Sequence, residues 1–114
     1  MPHDEKLAQR IEQLFGSDQP YTSRKMFGGL AYIIKGHMAI AASGKGGILV
    51  RVDPGKFEKL AGETNVEVAI MRGRAMRGWL RVPPEKLRTK RQLKRWFDLS
   101  MGYVETLPDN NKLS

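Results

Sequence analysis

Arginine and lysine side chains are concentrated in one stretch of this 114-residue sequence. Residues 70 to 95 contain ten of them and a single acid, Glu85, whereas the rest of the chain holds ten basic and eleven acidic residues. The formal net charge of +8 therefore arises in this stretch. Such a local excess attracts phosphates, acidic protein surfaces or anionic lipids. The competing interpretation is a solvated basic face without a partner. The candidate anion or nucleic-acid contacts are Arg72, Arg74, Arg77, Arg88, Arg91, Lys94 and Arg95.

Three of these arginines fall in one glycine-flanked run, Arg72-Gly73-Arg74-Ala75-Met76-Arg77-Gly78. Arginine makes bidentate contacts with phosphate or carboxylate groups, and glycine leaves neighbouring backbone N–H groups accessible. The alternative is a solvated connection whose arginines pair with acids of the same domain. We predict a loop over residues 72–77, with Met76 as a candidate core residue beneath it.

No residue pattern in the sequence indicates catalysis. The segment 43–47, Ser-Gly-Lys-Gly-Gly, resembles a phosphate-binding loop only superficially, because glycine follows the lysine and a strand is predicted next. His3 and His37 have no acid or second histidine at a metal-ligand spacing, and the chain has no cysteine. We therefore expect no catalytic residue, no metal site, no cofactor and no enzymatic activity. Only carboxylates that folding brings close together would support an enzymatic function.

The composition is that of one globular domain. Hydrophobic residues make up 40% and charged residues 28%, which are ordinary values for such a domain. No apolar run approaches the roughly 20 residues that cross a membrane, and residues 1–5 lack the features of a signal peptide. We expect a cytoplasmic protein without membrane contact, with a single domain over 1–105 and a flexible tail over 106–114.

Three helices are predicted from apolar periodicity and from capping residues. Residues 4–15 place apolar side chains at i, i+4, i+7 and i+8. Asp53-Pro54 opens a second helix that ends at Gly62. Thr89 and Gln92 have the capping-box spacing, so a third helix begins at Thr89. Its inner stripe is Leu93, Trp96, Phe97, Ser100 and Val104, and its outer side chains are Arg91, Lys94, Arg95 and Asp98.

Six strands are predicted, at 22–27, 30–34, 38–42, 48–52, 65–71 and 78–82. Their short connections favour antiparallel pairing. The element order, α-β(3–4)-α-β(2)-α, predicts an α+β two-layer sandwich, with helices on one face of an antiparallel sheet. The predicted core is Leu7, Ile11, Leu14, Phe27, Ile33, Ile40, Leu49, Phe57, Leu80, Leu93, Trp96 and Phe97.

Two adjacent glycines interrupt the first predicted β-segment, in Met26-Phe27-Gly28-Gly29-Leu30. Paired glycines after an aromatic residue indicate a bulge or a turn with positive φ. We predict that Gly28 or Gly29 adopts a conformation that other residues disfavour. The segment is then either a corner between strands or a backbone platform for a partner.

Several of these segments together resemble the TfoX/Sxy N-terminal domain family, over about residues 10–104. The resemblance rests on Arg24-Lys25-Met26-Phe27-Gly28-Gly29, on Gly36, on the strand Leu49–Val52, on Gly73-Arg74-Ala75-Met76-Arg77-Gly78, and on Leu93 and Trp96. The motif residues carried over from it are Arg24, Lys25, Met26, Phe27, Gly28, Gly29, Gly73, Arg74, Met76 and Gly78.

This resemblance implies a two-layer α+β domain similar to secretion chaperones, and it brings no catalytic residues. The best-known members of the family are bacterial regulators that act on transcription of DNA-uptake genes during competence. Those members carry a second, helical C-terminal domain, and we expect this chain to be a stand-alone domain without it.

Two functional hypotheses follow. The first is a non-enzymatic regulatory or protein-interaction domain resembling that of the competence regulators. The alternative is a phosphate-directed, sequence-tolerant nucleic-acid-binding protein that uses the basic stretch over 72–95. We expect a protein partner, and we leave nucleic acid and a second copy of the chain open. A continuous basic surface would favour the alternative, whereas a self-complementary apolar patch would favour the first hypothesis.

Overall fold

The computed structural model describes residues 5–17, 19–26, 28–71 and 73–108. These residues form three α-helices, six strands and one 3-10 turn, in the order that the sequence predicts. The elements are α1 Glu5–Phe15, β1 Thr22–Met26, β2 Gly29–Ile34, β3 His37–Ala42, β4 Ile48–Arg51, α2 Pro54–Ala61, β5 Glu67–Met71, β6 Arg74–Val82, the 3-10 turn Pro84–Lys86, and α3 Lys90–Val104.

All six strands form one antiparallel sheet in the order β1-β2-β3-β4-β6-β5. Strands β1 to β4 follow the chain as a meander, whereas β6 inserts between β4 and β5 after α2 has crossed over. Apolar side chains of α1, α2 and α3 pack into a single cluster with one face of this sheet. The predicted α+β two-layer sandwich, with helices on one face, is confirmed. The further likeness to secretion chaperones stays a prediction.

The capping residues begin both predicted internal helices as expected. The Asp53 carboxylate accepts a 2.8 Å hydrogen bond from the Gly55 N–H at the start of α2. In α3 the Thr89 hydroxyl accepts from the Gln92 N–H and the Gln92 side chain accepts from the Thr89 N–H, each at 3.0 Å. These bonds satisfy backbone donors that have no partner within the helix, so the helix ends are fixed by local sequence.

The helix side of the sheet contains the principal core. Trp96 and Tyr32 are the largest fully buried side chains, and the predicted inner stripe of α3 is buried along its length. The Tyr32 hydroxyl donates to Glu12 Oε2 at 2.7 Å and lies 3.2 Å from the Ala8 carbonyl oxygen, so this buried polar group is satisfied. Burial, and next the hydrogen bond to Glu12, raise the pKa of Tyr32 above its ordinary value.

Among the predicted core residues, Leu14 is the one correction, because it is only half-buried at the edge of the core. Leu49 is buried as predicted, but on the sheet face opposite the helices. Phe27 lies outside the described residues. Ile33 is buried at 3% exposure but is not part of the principal core, because it points to the same side as its neighbour Ala31 two residues earlier.

The run predicted as a loop over 72–77 is mostly strand, which is the main correction to the sequence prediction. Strand β6 begins at Arg74, so the connection between β5 and β6 is a tight turn that includes Gly73, with a φ of 77°. A positive φ is accessible to glycine without steric cost, and this lets the strand reverse within two residues. The sequence indicated a solvated loop here because its three arginines obscure the alternation of polar and apolar residues that is typical of a strand.

The residues after α3 lie against the turn between β2 and β3. Lys35 Nζ donates to the Glu105 carbonyl oxygen at 3.0 Å, and His37 Nε2 lies 2.6 Å from that of Pro108. Residues 109–114 lie outside the described residues, so the flexible tail over 106–114 and the domain boundary at 105 stay predictions.

Candidate protein-interaction surface

The sheet face opposite the helices carries a second, smaller apolar cluster. Ala31, Ala41, Leu49 and Ala69 are buried at its centre, and four larger side chains pack around them while remaining partly exposed: Met26, Met38, Met76 and Trp79. We call these eight residues the open face. All eight belong to strands, and no helix in the described part of the chain contributes to the cluster.

Strand register places charged residues at both ends of an apolar row on this face. Arg24 pairs with Ala31, and the pairing continues across the sheet through Ala41 and Leu49 to Arg81. Directly paired residues point to the same side of a sheet. Neighbouring strands lie about 4.8 Å apart, so the four steps from Arg24 to Arg81 cover about 19 Å. The row continues from Arg81 on β6 to β5, where Glu67 pairs directly with Arg81.

The two glycine-containing motifs both contribute to the open face, from opposite sides of it. Each contains an arginine and a methionine two residues apart, namely Arg24 and Met26 in β1, and Arg74 and Met76 in β6. Alternate residues of a strand share a side, so each motif directs one arginine and one methionine to this face. Because β1 and β6 are four strands apart in the sheet, Met26 and Met76 lie at opposite borders of the cluster. The sequence identified both motifs, but it did not predict that they share a face.

Gly28 and Gly29 position the end of β1 for two different reasons. Gly28 has a φ of 75°, which confirms the predicted unusual conformation, and a Cβ added there would have no neighbour within 4 Å. Gly29 has an ordinary φ, but a Cβ there would overlap the Ala42 carbonyl oxygen and lie 3.2 Å from the Gly44 nitrogen. The hairpin can therefore lie close to the residues after β3, which keeps Met26 over the open face.

At the end of β4, Arg51 contacts one aromatic ring of the open face and one of α3. The Arg51 guanidinium lies 6.0 Å from the Trp79 ring centroid and 5.5 Å from that of Tyr103 in α3. Stacking of this kind orients the indole without burying it. The Trp79 side chain is partly exposed.

The basic stretch does not form one continuous surface. Arg74 and Arg77 lie in the first half of β6, whereas Arg88 and Arg91 lie beyond its other end, at the start of α3. At a rise of about 3.3 Å per residue, the nine residues of β6 make a strand roughly 25 Å long. Arg72 lies outside the described residues.

The remaining two candidate contacts, Lys94 and Arg95, are paired with acids of the same domain. Lys94 Nζ lies 2.7 Å from Asp98 Oδ2 on the next turn of α3. Arg95 makes two hydrogen bonds to the Glu63 carboxylate, at 3.0 and 2.5 Å. These bonds hold the pKa of Glu63 below its ordinary value and raise that of Arg95.

A groove of about 400 Å³ with mixed chemistry lies between α2 and α3. Asp53, Lys56, Arg95 and Asp98 line it, together with the apolar parts of α3. Both of its α3 charges are already paired, and no group of three or more acids or histidines in the described ranges could hold a metal ion. The groove therefore offers no convergent set of reactive groups.

Comparison with known proteins agrees with the motifs. The family model described as the TfoX N-terminal domain matches residues 13–103. No curated protein and no solved structure matches the chain. Within the described residues, no helix has the length and apolar character needed to cross a bilayer. Since the family match covers most of the 114 residues, including both motifs and all six strands, the chain belongs to the TfoX N-terminal domain family.

Proposed function

We propose that this chain is a non-enzymatic regulatory domain that acts by binding another protein through its open face. One observation carries the proposal: the two motifs on which the resemblance to the family rests contribute Met26 and Met76 to opposite borders of one partly exposed apolar cluster that no described helix covers.

The composition of the open face supports binding to a protein. Aromatic residues, methionine and arginine are enriched at protein interfaces, and this face combines Trp79 with three methionines and flanking arginines. Methionine side chains are flexible and polarisable, so they adapt to the shape of an apolar partner. Trp79 is already oriented by Arg51, which lowers the entropy lost when a partner covers the indole.

The nucleic-acid alternative has less support. The candidate basic side chains lie at two ends of β6, and Lys94 and Arg95 are paired with acids of the same domain. Phosphate-directed binding depends on many cations contacting one backbone, and each paired cation offers less to such a contact. We include in this proposal a regulatory role related to competence, because the best-known members of the family have that role.

Affinity capture from a nuclease-treated extract of the native host tests the proposal. The bait is the wild-type chain, a Met26→Glu/Met76→Glu variant that places two charges on the open face, or an Arg88→Glu/Arg91→Glu variant that changes charge at the start of α3. Circular dichroism and thermal unfolding establish that each bait is folded. We expect a protein recovered with the wild type and the α3 variant to be lost with the open-face variant.

Equal recovery of every bound protein by the folded open-face variant would refute the proposal. In a parallel capture from an untreated extract, recovery of nucleic acid without a protein, lost with the α3 variant, would support the alternative. A more conservative bait, Met38→Gln, keeps the test valid if the double variant fails to fold.

A further inference from the structure

The charges around the open face identify the chemistry of its occupant. We infer that it binds an acidic protein segment that carries apolar side chains along one side. This inference rests on the proposed function and adds the partner class to it.

Arginine predominates among the charged residues that point to this side of the sheet. Among the described strand residues, register and alternation assign it Arg24, Arg51, Arg74 and Arg81 against one acid, Glu67, but the Arg51 guanidinium already lies 5.5 Å from the Tyr103 ring of α3. Arg24 and Arg74 are exposed, and neither forms an ion pair with any described residue. Arg81 uses one N–H on the Ser43 hydroxyl at 3.1 Å. At least two guanidinium groups therefore remain able to make bidentate contacts with carboxylates.

A second copy of this chain is a poor occupant for the same reason. Two-fold dimers place the same patch of both subunits in contact. Such a dimer would bring the arginines of one copy toward the arginines of the other, with only Glu67 of each to compensate. Like charges facing one another select against a partner.

Nucleic acid matches the arginines but not the surface between them. The row from Arg24 to Arg81 contains Ala31, Ala41 and Leu49, which offer aliphatic surface and no hydrogen-bonding side chain. A sugar–phosphate backbone would desolvate its phosphates there without a compensating contact. An amphipathic segment fits both parts. A helix rises about 1.5 Å per residue, so about 13 residues would span the 19 Å row, with an acid near Arg24 and apolar residues along Ala31, Ala41 and Leu49. At the other end of the row, Arg81 already faces Glu67.

Selection from a phage-displayed library of random 16-residue peptides tests the inference. Three immobilised proteins are compared: the wild type, Arg24→Glu/Arg74→Glu on the open face, and Arg88→Glu/Arg91→Glu with the same change of net charge elsewhere. We expect the wild type and the α3 variant to enrich the same acidic, apolar peptides. The open-face variant should enrich basic peptides instead. In titration calorimetry, the best wild-type peptide should bind the open-face variant at least tenfold more weakly.

Each other outcome overturns the inference. Neutral or basic peptides from the wild type would exclude an acidic occupant, as would identical peptides from both charge variants or no enrichment over an uncoated surface. Sedimentation showing a dimer that Met26→Glu disrupts would assign the face to a second copy, and displacement of the peptide by duplex DNA at 150 mM salt would assign it to nucleic acid. If a captured native partner depends on Met26 and Met76 but binds through a segment without acids, the proposed function stands and this inference fails.

Discussion

Replacing Gly29 by alanine should destabilise the domain more than the same change at Gly28, although only Gly28 has a positive φ. An added Cβ at Gly29 would overlap the carbonyl oxygen of Ala42, which is backbone in the middle of the sheet and cannot rotate away. Overpacking of a core costs about 1–3 kcal/mol, and a backbone obstacle places Gly29→Ala at about 3 kcal/mol. At Gly28 the added methyl meets open space, so only the left-handed backbone penalty of about 1 kcal/mol applies.

Urea unfolding followed by tryptophan fluorescence measures this difference, because Trp96 is buried in the core and reports on it. The two variants should differ by about 2 kcal/mol in free energy of unfolding, and a domain of this size shifts its melting temperature by about 4 °C per kcal/mol. Equal losses, or a greater loss at Gly28, would show that backbone conformation rather than close packing explains why glycine is required at these two positions. Either result would refute the account of how Met26 is positioned.

Three further predictions concern the core, an ion pair and a helix cap. Trp96→Ala should cost about 3–5 kcal/mol in thermal unfolding, because the indole is 1% exposed, and unchanged melting would contradict its place in the core. The lowered pKa of Glu63 stabilises the fold fully above the ordinary glutamate pKa, and this contribution is lost as the pH falls through the lowered value. Glu63→Gln should therefore lower stability at pH 7 by less than about 1 kcal/mol, since solvent screens Arg95, and should flatten the acid limb of a stability–pH profile, which an identical profile would disprove. Thr89→Ala should cost about 1 kcal/mol in urea unfolding and Thr89→Ser much less, because serine keeps the hydroxyl that accepts from Gln92; equal losses would exclude the capping role.

The elements that the sequence predicted well are those whose signals are local. The third helix begins at Thr89 because its capping box and its apolar stripe lie within sixteen residues of each other. The turn at Lys35 and Gly36, with φ of 55° and 78°, follows similarly from a short polar pair between two β-branched or apolar runs. Each of these features is determined by residues that are close together in the sequence.

The features that the sequence could not predict depend on pairing across the sheet. Nothing local indicates that β6 inserts between β4 and β5, so the row that joins Leu49 to Arg81 could not be found by periodicity. The bond between Arg95 and Glu63 spans 32 residues, which is why the charge of the basic stretch looked more available than it is. Leu49 illustrates the same difficulty, since an apolar residue in a central strand can serve either face.

Site-specific photo-crosslinking in the native host tests the interaction surface most directly. A benzoylphenylalanine at position 38 would lie on the open face without altering either motif, and one at position 91 would lie on the exposed side of α3. Our account predicts a discrete protein adduct from position 38 that survives nuclease treatment, and none of that mass from position 91. Adducts of the same mass from both positions, or from position 91 alone, would contradict the claim that the open face is where this domain binds its partner.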